Sequence, residues 1–299
     1  MNLRSYPAAH PRAVVMAGVF FVSLSAILIK LSNAPSLVIA AYRMTFTVFL
    51  MAPTFASGVH SRKTAPSGRD MVLAGISGVF LAVHFAAWIS SLKYTTVASA
   101  TVLVNTQPLF IVVLAFFFLG ERISRRALFW MLFAFAGSAV ISVGGGDAGG
   151  SNPLTGNLLA TGGALASSGY MLIGRALRQR LSAGAYSFMV YLTSAVLLVA
   201  FVVATGKPLF TYPPVEYLIF VGLAVFPTLL GHNLFNWSLG YLKPSFVSVA
   251  ILGEPVFSTI LALIIFVEIP TVYTIIGGAA VISGIYFFLK AENRSPVAL

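Results

Sequence analysis

The sequence predicts an all-α integral membrane protein of ten spanning helices, built as two five-helix units of opposite orientation. Three observations carry that prediction. Hydrophobic residues make up 59% of the 299-residue chain and charged residues only 8%, with a mean hydropathy of +0.95. A soluble domain carries charge on about a quarter of its residues, so lipid must be the solvent for most of this chain. Ten apolar runs reach the ~20 residues needed to cross roughly 30 Å of hydrocarbon at about 1.5 Å per residue. Finally, the chain repeats itself in register at an offset of 147 residues.

The runs fall at 13–32, 36–57, 70–91, 97–119 and 126–144, then at 154–175, 183–204, 214–237, 245–267 and 272–290. Residues 1–12 hold Arg4, Arg12 and two prolines but no small-residue cleavage pattern after a short apolar core, so the first run reads as a retained span. Basic residues orient the set. With a cytoplasmic N-terminus, the even-numbered connections and both termini hold Arg4, Arg12, Arg62, Lys63, Arg69, Arg122, Arg125, Arg126, Arg175, Arg178, Arg180, Lys243, Lys290 and Arg294. The opposite face keeps only Lys30, Lys93 and Lys207, and Arg43 falls within the second span. That asymmetry follows the positive-inside rule and places both termini in the cytoplasm. The net charge of +11 therefore reads as basic cytoplasmic loops and implies no nucleic-acid partner.

Ser91, Leu92, Tyr94, Pro108, Phe110, Glu121 and Gly137 pair without a gap with Ser238, Leu239, Tyr241, Pro255, Phe257, Glu268 and Gly284. The units are residues 1–146 and 154–299, joined by a Gly-rich external linker at 147–153. Five spans per unit is an odd number, so the two copies must face opposite ways, the pattern of transporters built from inverted repeats. A literal G-x-G-x-x-G runs from Gly144 to Gly149, but lipid-length helices flank it where a dinucleotide site needs a βαβ unit.

Charged side chains at bilayer depth cost about 2.5–3.5 kcal/mol on insertion scales unless a cavity or partner receives them, so each polar or ionisable one there is informative. In span three, Ser77, Leu81, His84, Trp88 and Ser91 share a helical face; in span four, Ala98, Thr101, Asn105 and Pro108 do so. Asn233, Trp237 and Tyr241 line up in span eight, and Tyr42 precedes Arg43 in span two. The candidate substrate-binding residues are Tyr42, His84, Trp88, Ser91, Thr101, Asn105, Asn233, Trp237 and Tyr241. His84 can donate to a carboxylate and Trp88 can stack on a ring; the same pair can equally serve as an interhelical hydrogen bond and an interfacial anchor. Arg43 can hold a carboxylate, or snorkel and cap helix ends.

Glu254 is the acid within a span, and its repeat equivalent is Gln107. It is the candidate coupling residue for a proton or cation, with a structural ion pair as the alternative. Pro108 and Pro255 occupy equivalent positions about ten residues into their spans; each is expected to kink a helix, as a hinge beside the transport path or as a packing feature. There is no cysteine, and four scattered histidines supply no ligand pair, so no metal site, disulfide or cofactor is expected. No nucleophile and base pair at helical spacing argues for an enzyme, and no continuous polar ring argues for a channel.

The ten-span duplication, Tyr42-Arg43, Leu119-Gly120-Glu121, Gly253-Glu254-Pro255-Val256-Phe257 and Val267-Glu268 together resemble the EamA branch of the drug/metabolite transporter superfamily. The resemblance covers essentially the whole chain. It departs at Phe266-Val267-Glu268, where the usual ending is Leu-Gly-Glu. Within the branch the chain looks most like the YddG-type aromatic amino acid exporters of the bacterial inner membrane. The resemblance implies inverted repeats, alternating access, and a central cavity bordered by spans other than five and ten. It also implies export of aromatic and other neutral amino acids, with lipid as the surrounding partner and protons as a candidate coupling ion. Another small solute, such as a nucleoside or drug-like cation, is the alternative cargo.

Overall fold

The computed structural model describes residues 10–56, 66–91, 94–95, 100, 103–143, 151–267 and 269–292, and contains no strand among them. Its helices are α1 (Pro11–Leu31), α2 (Ser36–Ala56), α3 (Gly68–Ser91), α4 (Gln107–Leu119), α5 (Arg125–Val143), α6 (Pro153–Arg178) and α7 (Ala183–Ala204). There follow α8 (Pro214–Leu223), a π-helical segment Ala224–His232, α9 (Asn233–Ser238), α10 (Pro244–Ile251), α11 (Glu254–Phe266) and α12 (Val272–Glu292). Among the described residues, seven helical stretches are long and apolar enough to cross a membrane, and Gln107–Leu119 is a shorter apolar helix.

Proline opens many of these helices. It stands in the first turn of α1, α4, α6, α8 and α10, where its missing N–H has no intrahelical partner to lose. Asn152 and Ser182 cap α6 and α7 by accepting the N–H groups of Thr155 and Ala185.

Solvent preference is reversed relative to a soluble protein. Phe117 and Phe118 of α4 are 75% and 72% exposed, while Ser77, Ser138, Thr228 and Asn236 are fully buried. A sheath of exposed apolar side chains is stable only in hydrocarbon. Many hydroxyls are satisfied within their own helix: Ser23 donates to the Val19 carbonyl at 2.8 Å, Thr47 to Arg43 at 2.7 Å and Ser168 to Ala164 at 2.9 Å.

Packing obeys the exchange of the two halves. Helix α3 packs on α6 as the π segment and α9 pack on α1, and α4 packs on α6 as α11 packs on α1. Helices α2 and α7 pack against each other, as do α5 and α12. The same exchange appears at atomic scale. A Cβ built on Gly18 would lie 3.4 Å from the Gly231 carbonyl and 2.6 Å from the Phe235 ring; one built on Gly163 would lie 3.5 Å from the His84 carbonyl and 3.4 Å from the Trp88 nitrogen. Gly231 and Phe235 are the 147-residue equivalents of His84 and Trp88. Helices α5 and α12 are joined by close backbone approach: a Cβ on Gly137 would stand 2.8 Å from the Gly277 carbonyl.

Spans four and nine differ from the continuous, proline-kinked helices read from the sequence. Each is broken by a turn, at Asn105-Thr106 and Leu252-Gly253, and a new helix then starts at Gln107 and at Glu254. Pro108 and Pro255 are the second residues of those new helices, a position that suits proline, so the interruption precedes each proline. Both starts and both ends, Leu119 and Phe266, are 147 residues apart. Asn105 consequently sits in a turn rather than on one continuous face with Pro108, and Thr101 lies outside the described residues.

Span eight also departs from a regular helix. Around Pro227 the backbone widens into the π segment, and the Thr228 hydroxyl donates to the Leu223 carbonyl five residues back at 2.8 Å. A further asymmetry marks the ends of α4 and α11. Gly120 ends α4 in the left-handed region at φ 65°, and its repeat equivalent Val267 adopts φ 58°. For a β-branched residue that conformation costs roughly 1–2 kcal/mol.

Candidate functional site

A cavity of about 260 Å³ lies where the two units meet. Its described walls come from α1, α2, α3, α4 with the preceding turn, α6, span eight and α10–α11; α5, α7 and α12 contribute none of them. Four of its repeat-equivalent pairs face it together: Phe85 with His232, Trp88 with Phe235, Val104 with Ile251, and Gln107 with Glu254. The cavity therefore sits on the axis that relates the units. It is bounded largely by rings, those of Phe85, Trp88, Tyr170 and Phe235, with polar atoms at separate points.

Each polar point has an identifiable support. The His84 Nδ1–H donates to the Gly163 carbonyl at 2.9 Å, since a carbonyl only accepts, and the ring lies parallel to Trp88 with centroids 6.3 Å apart. Asn105 donates to Ser138 at 3.0 Å. Gln107 points its Nε2 at the Met171 sulfur, 2.6 Å away. Tyr170 donates to Asn236, whose amide donates in turn to Ser187 at 3.0 Å and Tyr191 at 3.2 Å. This buried network fixes α6, α7 and α9 around the cavity, because each member would be costly to leave unpaired.

Two charged side chains complete the lining. Arg43 is 1% exposed and anchored by hydroxyls, its Nε to Thr228 at 2.8 Å and Nη1 to Ser25 at 3.2 Å. Its guanidinium carbon stands 4.6 Å from the Phe85 ring centroid. Glu254 faces the same space from the first turn of α11, and among the described residues its carboxylate has neither a hydrogen-bond nor an ion-pair partner.

Of the residues selected from sequence, His84, Trp88, Asn105, Glu254 and Pro255 line the cavity. Pro108 is buried directly beside the lining residue Gln107. Tyr42 lies elsewhere, stacked on Phe220 at 4.8 Å and donating to the Leu209 carbonyl. Ser91 donates to the Trp88 carbonyl at 2.7 Å, and Asn233 accepts from Ser187 at 2.7 Å. Trp237 and Tyr241 pack on each other with centroids 4.6 Å apart and do not line it.

Sequence reasoning passed over Ser25, Ser167, Tyr170, His232 and Asn236, all of which line the cavity. A signal for span eight was present: His232, Phe235, Asn236 and Leu239 recur at i, i+3, i+4 and i+7. That stripe is rotated from the Asn233–Trp237–Tyr241 stripe chosen from sequence.

An apolar-sheathed bundle around an internal cavity, ringed by aromatic groups and spotted with polar ones, is the architecture of a multi-pass membrane carrier. Comparison with known proteins agrees. The profile of the EamA-like transporter family matches residues 13–143 and again residues 154–290, and the chain belongs to that family. It is thus a transmembrane transporter of the drug/metabolite type. The uncharacterized transporter YetK of Bacillus subtilis (strain 168) is 29% identical over 236 residues, which cover 76% of this chain and 69% of YetK. An uncharacterized transporter of Archaeoglobus fulgidus is 24% identical over 262 residues, covering 85% of this chain and 89% of the relative. A crystal structure of a protein 21% identical superposes with a TM-score of 0.77 over 93% of this chain and 98% of that one, a likeness of fold.

Proposed function

We propose that this transporter exports aromatic, and other neutral, amino acids from the cytoplasm by alternating access. The observation that carries the reading is the cavity itself: about 260 Å³, walled by four rings and provided with a few separated polar groups. Small-molecule sites generally run from about 300 to 1,000 Å³, so this one, near the small end, suits a single small metabolite. An aromatic side chain wants ring-lined walls, and an amino acid backbone wants the polar points.

The same reading has ten spans in two inverted units, residues 1–146 and 154–299 with the linker at 147–153, and both termini in the cytoplasm of a bacterial inner membrane. The charge distribution of the loops supports the orientation, and the exchangeable helix contacts support a path opened by rocking equivalent elements. Glu254 is the candidate coupling residue, since it is a carboxyl at the cavity whose repeat equivalent, Gln107, cannot titrate. The test is uptake of radiolabelled phenylalanine or tryptophan by liposomes containing the purified protein. Saturable uptake above that of empty liposomes is expected. Uptake equal to empty liposomes, alongside transport of an unrelated solute such as uridine, would reject the aromatic assignment.

A further inference from the structure

We infer that Arg43 is the carboxylate anchor of the cavity, so that cargo is selected for an ionised carboxyl group as well as for its ring. The inference rests on the transport reading of this cavity. Arg43 arises from α2, just inside the apolar core, where a guanidinium without a counter-charge is costly. The fold holds it there by three fixed supports. Ser25 of α1 takes Nη1, the Phe85 ring lies against the guanidinium, and Thr228 takes Nε. The Thr228 hydroxyl proton is committed to the Leu223 carbonyl, so its oxygen is left to accept from Arg43. The π segment that places Thr228 is thus part of the support, in keeping with the frequent use of such segments at functional sites.

Against that background, the third nitrogen is left over. Arg43 Nη2 is buried, lies on a side chain that lines the cavity, and has no hydrogen-bond partner. The indole Nε1 of Trp88, on another cavity-lining residue, is likewise buried and unpartnered. Among the described residues no acid forms a direct ion pair or hydrogen bond with Arg43; Glu254, on the same cavity, attracts it through space but leaves Nη2 without a partner. An arginine whose job was purely structural would have its fork filled. Here two nitrogens are used for aim and one is kept for a guest, with Trp88 as a second donor. A carboxylate is the guest that answers a cationic N–H in a low-dielectric cavity.

The test compares wild-type liposomes with matched solutes that differ at one group. Phenylalanine amide keeps the ring and ammonium of phenylalanine but caps the carboxylate; 3-phenylpropionate keeps the carboxylate and drops the ammonium. A charge-assisted hydrogen bond predicts that the amide competes with labelled phenylalanine about 10- to 100-fold more weakly than unlabelled phenylalanine. Arg43→Gln should reduce that discrimination to a few-fold at most. Trp88→Phe, which keeps a ring and removes the N–H, should reduce it in part and guards against Arg43→Gln failing to fold. Equal competition by phenylalanine and its amide in the wild type overturns the anchor while leaving aromatic transport intact. If phenylalanine is not carried at all but other solutes are, the aromatic reading fails instead. The anchor then stands or falls on whether those solutes need their carboxylate.

Discussion

Gly18 of α1 and Gly163 of α6 hold matching places in the exchanged packing but have unequal surroundings, and replacing each by alanine should separate them sharply. At Gly18 the new Cβ would lie 2.6 Å from Cε1 and 3.0 Å from Cδ1 of Phe235. Carbon atoms reach their best separation at about 3.5–4.0 Å, so the ring must retreat by roughly 1 Å. His232 already stands 5.9 Å from the Phe235 centroid, and the cavity offers the open direction. Overpacking of this kind costs about 1–3 kcal/mol, and it spends cavity volume as well. At Gly163 the nearest atoms to the new Cβ are 3.4–3.5 Å away, ordinary contact. Relief of the helical glycine penalty, about 0.5–1 kcal/mol, then favours alanine. Gly18→Ala is therefore expected to lower the thermal midpoint in detergent by several degrees and to cut initial uptake, whereas Gly163→Ala leaves uptake intact with an unchanged or higher midpoint. Tryptophan fluorescence on heating and uptake by liposomes measure both. Equal loss in the two variants would refute the packing argument.

Two further outcomes are expected. Val267→Gly should stabilise the protein by about 0.5–1 kcal/mol, because roughly 1–2 kcal/mol of left-handed strain is relieved against a glycine entropy cost of about 0.5–1 kcal/mol; a lower thermal midpoint would contradict this. Glu254→Gln should abolish acceleration of uptake by an imposed pH gradient while sparing exchange of labelled for unlabelled substrate, and a gradient response equal to wild type would remove Glu254 from coupling.

How much of this was legible beforehand depends on the kind of signal. Helix positions followed from run length, because lipid imposes a minimum number of apolar residues, and α2, α3 and α7 begin and end within a few residues of their predicted bounds. The breaks before α4 and α11 were foreshadowed by Pro108 and Pro255, but a proline reads the same whether it kinks a helix or restarts one. The cavity lining was legible where one regular helix carries it, as at His84 and Trp88. It differed in span eight, where two polar stripes lie side by side, His232–Asn236 and Asn233–Trp237–Tyr241, and the first faces the cavity. Tyr170 was hidden for a different reason: it follows a stripe of small residues, Gly162, Gly163, Ala166, Ser167 and Gly169, of the kind that lets helices approach closely. Nothing in one sequence tells which residue of such a stripe turns toward a void.

The paired positions around the cavity carry an energetic consequence. In a carrier made of two identical inverted halves, the empty inward-open and outward-open forms would be related by a half-turn about an axis in the membrane plane, with an equilibrium constant of one. Every mismatch between partners, Gln107 against Glu254, Phe85 against His232, Trp88 against Phe235, removes that degeneracy. A difference of only about 1.4 kcal/mol between the two forms shifts their ratio tenfold. On the proposed mechanism, the unmatched side chains at its centre thus help to decide the side of the membrane on which the unloaded carrier waits.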